Sequence, residues 1–498
     1  MSHDYTLLDQ EAERLLINYG ERKLSPRERL SIPPQEMPSQ EPAERVRNMS
    51  EVALGYSENQ VRVEALRCLQ CASAPCIKGC PVRINIPAFI KKAAEGDFAG
   101  SVAVIKESSM LPSICGRVCP QESQCQEFCT VGKSLKNIDN AVAIGRIERF
   151  VADWESAHGK KGIPVVGAPT GRKVCVVGSG PASMTAAADL RRAGHEVVMF
   201  EALHKSGGVL VYGIPEFRLP KRIVQEELDN LSAMGVRIEN NFLVGRTAKL
   251  SDLMEKHGFD AVFIGSGAGL PKFLNIEGEN LIGVFSANEY LTRSNLMRAY
   301  DRAKAGTPMF TSQKVAVFGG GNVAMDSART ALRLGASEVT IVYRRTEEEM
   351  PARKEELAHA KEEGVRFLYL HAPVRILGDE KGKVRQVELI TCELGESDAS
   401  GRRSPVEIPG SEALHEFDTV IVAIGNASNP LIEKTTKGLD VNKRGNIIVD
   451  EETCATSMKG VYAGGDIVLG AATVILAMGQ GRKAAKAMND YLAGLPTA

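Results

Sequence analysis

Apolar positions along the chain change their spacing twice. Residues 1 to about 60 are polar and charged, and "LSIPPQEMPSQEPAERVRN" reads as an extended, proline-interrupted arm, packed on other parts or partly disordered. From Asn59 to about Trp154 the apolar residues recur at helical spacing, broken by cysteine-bearing loops. Within this region "IPAFIKKAAEGDFAGSVAVIKE" predicts two short helices, Pro87 opening the first and Gly96 helping to close it. "GKKGIPVVGAPTG", Gly159 to Gly171, is a Gly/Pro-rich linker between unlike regions. Beyond it the pattern becomes βαβ. "RKVCVVGSGPASMTAAADLRRAGHEVVMFEA" predicts strand, glycine turn, helix, glycine stop and strand, and "QKVAVFGGGNVAMDSARTALRLGASEVTIVYRR" repeats that plan from Gln313. Two dinucleotide folds imply two nucleotide ligands, or one ligand and a duplicated scaffold. Near the C-terminus "FDTVIVAIGNASNP" holds a buried strand ending at Gly425. "GVYAGGDIVLGAATVILAMGQGRKAA" adds a strand, Gly464-Gly465-Asp466, and a helix beginning near Thr473.

Composition narrows the class. A chain of 498 residues carries a prior of about three domains. A net charge of -1 without long single-sign blocks argues against a broad nucleic-acid surface. No apolar run approaches the roughly 20 residues that span a bilayer. The start has acidic residues and no apolar signal core, so a cytoplasmic protein is expected. Abundant glycine (47) with few aromatics (5%) suits domains whose backbone approaches phosphate closely.

Cysteines add the first chemistry. Eight of eleven lie between Cys68 and Cys129, and in a reducing compartment such clustering points to metal. Cys175, Cys392 and Cys454 are scattered and read as small buried hydrophobes. Cys68, Cys71, Cys76 and Cys80-Pro81 follow a spacing close to the bacterial ferredoxin run, whose last cysteine ligates the other cluster. Cys115, Cys119, Cys125 and Cys129 supply four more thiols. Counting gives two [4Fe–4S] clusters; two structural zinc sites would use the same number of thiolates. The nucleotide modules next door favour clusters, because zinc carries no electrons.

The glycine turns point to dinucleotides. In Gly178-Ser-Gly180-Pro-Ala-Ser183 the first glycine makes the tight turn and the second admits the pyrophosphate at a helix N-terminus. Ser183 is small enough for close helix–strand packing, though not the usual Gly or Ala. Glu201 ends the second strand and can hydrogen-bond ribose hydroxyls. The second turn is Gly319-Gly-Gly321-Asn-Val-Ala324, and aligning the repeats places Tyr343 where Glu201 stands. Arg344 and Arg345 follow, a guanidinium pair suited to a 2′-phosphate in forked geometry, so this site is read as NADP(H). Asp466 can reach a flavin ribityl or phosphate region, and its plain alternative is a turn or N-cap aspartate. The amides of the helix beginning near Thr473 aim at the flavin ring or its substituents.

"CGRVCPQESQCQEFC", "GGVLVYGIPEFRLPK", "GGGNVAMD", "VYRRTEEEMPA" and "GVYAGGDIVLGAATVILAMGQGRKAA" together resemble the NADPH-dependent glutamate synthase small (beta) subunit family. That family is close to the large subunit of NADH-dependent ferredoxin:NADP oxidoreductase, and more distantly to the N-terminal half of dihydropyrimidine dehydrogenase. The likeness covers roughly Cys68 to the end and does not separate the family's members. It implies an α/β chain: an N-terminal all-helical iron–sulfur domain, then two Rossmann-like nucleotide-binding domains arranged as in adrenodoxin reductase. The expected division is 1–168 for the arm and double [4Fe–4S] domain, 169–305 for the first part of the FAD domain, 306–417 for the NADPH domain and 418–498 for the rest of the FAD domain. Carried over by residue, the resemblance puts Gly178, Gly180 and Glu201 at FAD, with Gly207 and Gly208 and the "YGIPEFRLPK" loop on the flavin side. It also implies Asp466 (beside Gly465) and the turn ending at Thr473 at FAD, Asn322 and Asp326 at the nicotinamide nucleotide, and Arg344 and Arg345 at its 2′-phosphate. Glu216 and Arg218 stand near the flavin on the resemblance alone. It groups Cys68, Cys71, Cys76 and Cys129 around one cluster, and Cys80, Cys119 and Cys125 around the other with Glu148 as a non-cysteine fourth ligand, leaving Cys115 spare. Simple counting uses all eight thiols instead, and a bland reading pairs Glu148 with Arg146 or Arg149. No general acid or base is named, because hydride transfer needs none. The expected partner is a second redox subunit: a glutamate synthase large subunit, ferredoxin or a flavin/iron–sulfur subunit. A bifurcating reductase subunit, a sulfide dehydrogenase-like enzyme and a non-catalytic iron–sulfur scaffold are the competing readings.

Overall fold

The computed structural model describes residues 4–20, 22–159, 163–301, 303, 305–307, 309–398 and 401–496. Residues 160–162 of the expected linker lie outside the described residues. Residues 163–170 carry no regular structure.

The N-terminal third is helical, as its 3.6-residue period requires. Ile86–Ala94 and Phe98–Lys106 are the two short helices expected, and Asp97 caps the second by accepting from the Gly100 amide (2.8 Å). Phe89, Ile90, Val102, Ile105, Ile114 and Ile147 meet in their core. The arm is more ordered than an extended segment. Its helix Tyr5–Tyr19 places Ala12 in a small core with Leu24, Ile32, Val63 and Leu66. The first thiols and Cys129 sit at helix ends and in a short helical turn. Cys68 follows helix Glu58–Leu66, Cys76 rides the single turn Pro75–Lys78, and Cys129 caps Thr130–Ser134.

The remainder is α/β. Its strands in chain order are β1 (Lys173–Val177), β2 (Glu196–Phe200), β3 (Arg237–Glu239), β4 (Ala261–Ile264), β5 (Leu270–Pro271), β6 (Val284–Ser286), β7 (Lys314–Phe318) and β8 (Glu338–Tyr343). They continue with β9 (Arg366–Tyr369), β10 (His371–Gly378), β11 (Val384–Ser397), β12 (Arg403–Glu407), β13 (Ala413–Glu416), β14 (Thr419–Val422), β15 (Asn426–Ala427) and β16 (Val461–Ala463). One parallel sheet runs β16-β4-β1-β2-β3 and a second β6-β14-β7-β8-β9. β10 to β13 form an antiparallel sheet beside the second. The buried strands are near-continuous apolar runs, as parallel sheets covered on both faces demand.

The expected boundaries at 305/306 and 417/418 fall inside the second sheet. Val420 pairs with both Val284 and Ala316, so β14 lies between β6 and β7. The run "TVIV" is a covered strand like any other, and periodicity carries no mark of which sheet it joins. The chain instead crosses between the units at β5 and β15, which pair with each other. Among the described residues no helix is long and apolar enough to cross a membrane.

Candidate functional site

Cys68, Cys71, Cys76 and Cys129 line one hollow, walled by Leu69, Ile86, Ile90, Val131, Val142 and Ile144. Burial pushes the Cys68 thiol up to about 11 and that of Cys76 to about 12, with the neighbouring thiols adding to both. The loop is anchored by a buried pair: Arg67 binds Glu64 (2.6 Å) and the carbonyls of Asn140 and Ala141, while Glu64 accepts the Ala143 amide. That network holds the first thiols against the start of helix Ile144–Ala157, which carries Glu148.

Glu148 faces the second group. Its side chain is buried, Oε1 has no hydrogen-bond partner, and burial pushes the carboxyl up to about 8. Cys80, Cys115, Cys119 and Cys125 all feel its charge, and Cys125 also feels Cys80 and Cys76. Arg149, the pairing partner of the bland reading, turns to Glu51 and Asp153, and Arg146 turns to Glu355. The Cys115 thiol is fully buried and donates to Met478 Sδ at 3.4 Å. Among the described residues no three such side chains converge on a single-ion site. Four thiols around one hollow, and an orphaned buried carboxylate among the remaining thiols, fit polynuclear iron–sulfur chemistry.

Around the first glycine turn, Gly178 has φ +92, and Gly208 (φ +56) comes so close that a Cβ there would lie 3.0 Å from Gly180 Cα. Glu201 accepts from the Ser179 hydroxyl, and from the Leu203 amide at 2.8 Å. Ser179 also accepts the Gly207 amide (2.8 Å), so a residue that sequence spacing leaves unremarked ties the turn, the acid and the flavin-side loop together. Ser183 is fully buried, its hydroxyl turned to the carbonyls of Val177 and Gly265. It packs helix on strand and does not face the groove. Asp466, pushed up to about 6 by burial, accepts the Ala472 amide, and Gly465 beside it has φ +81. Thr473 caps the long helix Val474–Ala493, accepting from Leu476 and from Gln124 Nε2 (3.2 Å) of the cysteine loop. The neighbouring Gly479 meets Pro81 so closely that a Cβ would lie 3.1 Å from its carbonyl oxygen. Both cysteine loops therefore touch the helix that closes the first nucleotide fold. Lys221 is a further residue unseen in the sequence. Its ammonium binds the carbonyls of Leu210, Ile214 and Leu219 and draws the flavin-side loop around itself.

The second turn repeats the first, with Gly319 tight against Ala423 and the Tyr343 ring against Gly320. Here the expected guanidinium pair divides. Arg344 is exposed at the strand end, whereas Arg345 is buried, paired with Asp398 (2.7 Å) and the Arg403 carbonyl. Arg345 holds a loop and is spent as a phosphate fork. Asn322 accepts the Arg353 amide (2.9 Å), bracing the turn. Asp326 is buried against Arg218 (2.7 Å), linking the second turn to the flavin-side loop.

Residues 45–160 match the family described as dihydropyrimidine dehydrogenase domain II, 4Fe-4S cluster, and residues 172–481 match pyridine nucleotide-disulphide oxidoreductase. The chain is 38% identical to the glutamate synthase [NADPH] small chain of Azospirillum brasilense over 92% of its own length and 94% of that chain. The chain belongs to the glutamate synthase small-chain family. The family's chains extend beyond this function: the NADP(+)-dependent formate dehydrogenase subunit beta of Moorella thermoacetica is 39% identical over 84% of this chain, which spans only 60% of that subunit. Among solved structures, Mycobacterium tuberculosis FprA in complex with NADPH shares the fold (TM-score 0.54, 22% identity, 65% of this chain and 84% of that one). As a member of the glutamate synthase small-chain family, the chain is an oxidoreductase that joins an iron–sulfur domain to a flavin- and pyridine-nucleotide-binding module.

Proposed function

We propose that the chain is the NADPH-oxidising entry subunit of a larger redox enzyme, of the glutamate synthase small-chain type, holding FAD, NADP(H) and two [4Fe–4S] clusters. The observation that carries this reading is the seam between the cysteine loops and helix Val474–Ala493, where Gln124 meets Thr473, Pro81 meets Gly479 and Cys115 meets Met478. It supports a short buried route from the flavin fold to the Cys80, Cys119, Cys125 and Glu148 group, and from there through Cys125 and Cys76 to the first thiols. When bound, the nucleotide supplies a hydride, the flavin divides it into single electrons and the clusters carry them.

The chain's own residues bind and orient. Gly178, Gly180 and Glu201 hold one dinucleotide, with Gly207, Gly208, Gly465, Asp466 and Thr473 around its flavin end. Gly319, Gly321 and Asn322 shape the second nucleotide turn. Arg344 alone reads the 2′-phosphate. Cys68, Cys71, Cys76 and Cys129 hold one cluster. The flavin unit comprises about 169–271 and 426–498, and the NADP unit lies between. The partner is a second redox subunit, because the family's relatives are named as small chains and beta subunits; a glutamate synthase large subunit is our first choice. A location in the cytoplasm follows from the same chemistry.

Anaerobic mixing with NADPH or NADH tests the reading. NADPH should bleach the flavin quickly and NADH slowly. Arg344→Ala should lower kcat/KM for NADPH by about ten- to a hundredfold, the worth of one charge-assisted phosphate contact or two, and leave NADH nearly unchanged. Equal loss with both nucleotides would remove the phosphate-reading role. No bleaching by either would favour the scaffold reading.

A further inference from the structure

The NADP unit is joined to the flavin unit by two chain crossings that lie side by side at β5 and β15. Covalent connection alone would let it pivot there. Direct contacts from the flavin-side loop (Arg218 to Asp326) and the cysteine-bearing domain (Arg353 to the Arg117 carbonyl) oppose the pivot, and the N-terminal arm adds a third restraint that ties all the bodies together. Residues 38–54 close into a compact loop: Gln40 and Val52 share a backbone hydrogen bond (2.9 Å), as do Leu54 and Pro38 (2.7 Å). The loop touches three bodies at once. Arg45, fully buried, binds Glu363 (2.8 Å) and Glu362 (2.7 Å) of the NADP unit, and the Asn48 carbonyl accepts from Arg333 of the same unit. Glu51 takes Arg117 (2.7 Å) and Arg149 (3.0 Å) of the cysteine-bearing domain. The Val52 amide donates to the Phe217 carbonyl of the flavin-side loop (2.9 Å).

Phe217 shows how far the loop's grip extends. Its buried ring packs against the guanidinium groups of Arg329 and Arg333, 4.8 and 4.0 Å from its centroid. Beside it Arg218 pairs with Asp326 and Glu356 of the NADP unit. Two guanidinium groups from outside the NADP unit (Arg45, Arg218) thus cross the seam to its carboxylates (Asp326, Glu356, Glu362, Glu363), and the unit's own Arg329 and Arg333 share Glu356 and Glu363 with them. Such a buried set is stiff, because opening it strands charges.

We propose that residues 38–54 are a strap that sets the angle of the NADP unit against the flavin unit, with Arg45 as the positioning residue for hydride delivery. This rests on the NADPH-oxidising reading above. Arg45 is the informative residue because Glu363 keeps Arg329 and Arg333 when Arg45 is removed, so no carboxylate on the NADP side is orphaned in the core. Arg45→Gln should retain flavin and iron yet slow flavin reduction by NADPH about ten- to a hundredfold, the scale on which small misplacements act. The affinity for NADPH should change little, because Arg45 lies away from the second glycine turn. Arg45→Lys, which keeps the charge and loses the fork, should recover part of the rate. Hydrogen exchange should rise in helix Lys354–Glu362 and in residues 215–220 and stay unchanged in helix Pro112–Val118. Unchanged flavin reduction and exchange in a loaded Arg45→Gln chain would overturn the strap. If that variant fails to load, Glu362→Gln, which removes only the half-exposed partner, should show the same pattern more weakly, and its absence would overturn the strap as well. Failure of the unaltered chain to be reduced by NADPH would instead overturn the functional reading, with the exchange experiment still deciding the strap.

Discussion

Gly178→Ala should damage the fold, whereas Gly180→Ala should leave the fold intact and empty it of flavin. The two glycines stand two positions apart in one turn and fail for different reasons. Gly178 has φ +92, and a Cβ there would lie 2.5 Å from the Gly265 carbonyl oxygen. Neither side can yield, because Val177 and Ile264, immediately before these glycines, are register partners in β1 and β4. The left-handed conformation alone costs about 1–2 kcal/mol for an L side chain, and the backbone collision adds to it. A fall in melting temperature of about 5 °C or more is expected. Gly180 has φ -72, and a Cβ there would meet nothing within 4 Å. That open space is where a pyrophosphate must approach the start of helix Pro181–Arg192. Gly180→Ala should therefore melt normally and bind FAD at least about tenfold more weakly, the effect of losing close backbone approach. The second turn offers the same contrast. Gly319 would collide with the Ala423 carbonyl at 2.3 Å, while the nearest atom to a Gly321 Cβ is 3.9 Å away. Gly321→Ala should keep its flavin and lose reduction by NADPH. Full flavin content in Gly180→Ala, measured by absorbance after gel filtration, would mean that the groove is not the binding place.

The tight backbone of these glycine turns was legible in the sequence because the constraint is local. A strand, a turn and a helix follow one another within thirty residues, and the constraint on each position is set by neighbours in the chain. The first thiols and Cys129 were legible for the same reason, since spacing places them at helix ends and in a short helical turn. What spacing could not reveal depends on partners far apart. Arg345 looks like half of a phosphate fork until Asp398, more than fifty residues on, takes its guanidinium. Asp326 looks like a nucleotide contact until Arg218 reaches it from the other unit. The course of β14 was misread because an apolar run of four shows that it is covered and not by which sheet. Arg45 sits in a polar, proline-rich stretch with no periodicity, and three of its four hydrogen bonds go to Glu362, Glu363 and the His359 carbonyl, more than 300 residues on. Ionic contacts across a seam leave no local pattern, which is why the arm's part in the architecture is visible only in three dimensions.

The second large effect is expected at Glu148, where the two ways of counting ligands give opposite results. If all eight thiols serve, Cys115 is a ligand and Glu148 a bystander. The geometry favours the reverse. Cys115 is occupied as a thiol, donating to Met478 Sδ at 3.4 Å. Glu148 has a buried oxygen with no partner and stands among Cys80, Cys115, Cys119 and Cys125. An unpaired carboxylate is costly to bury, and a metal is the one neighbour that would repay it among groups otherwise made of thiols. Glu148→Ala should therefore lower iron content by about half, the share of one [4Fe–4S] cluster in two, and remove one cluster's EPR signal. NADPH should still bleach the flavin, because the nucleotide turns are untouched, but electron delivery to an external acceptor should fall about a hundredfold when the relay is broken. Glu148→Cys should restore the iron and shift the midpoint potential of that cluster, since ligand hardness and charge set it. Cys115→Ser should keep full iron content. Loss of iron in Cys115→Ser together with full iron in Glu148→Ala would return the assignment to eight thiols, and with it the view that the first thiol run and the second each close on cysteine alone.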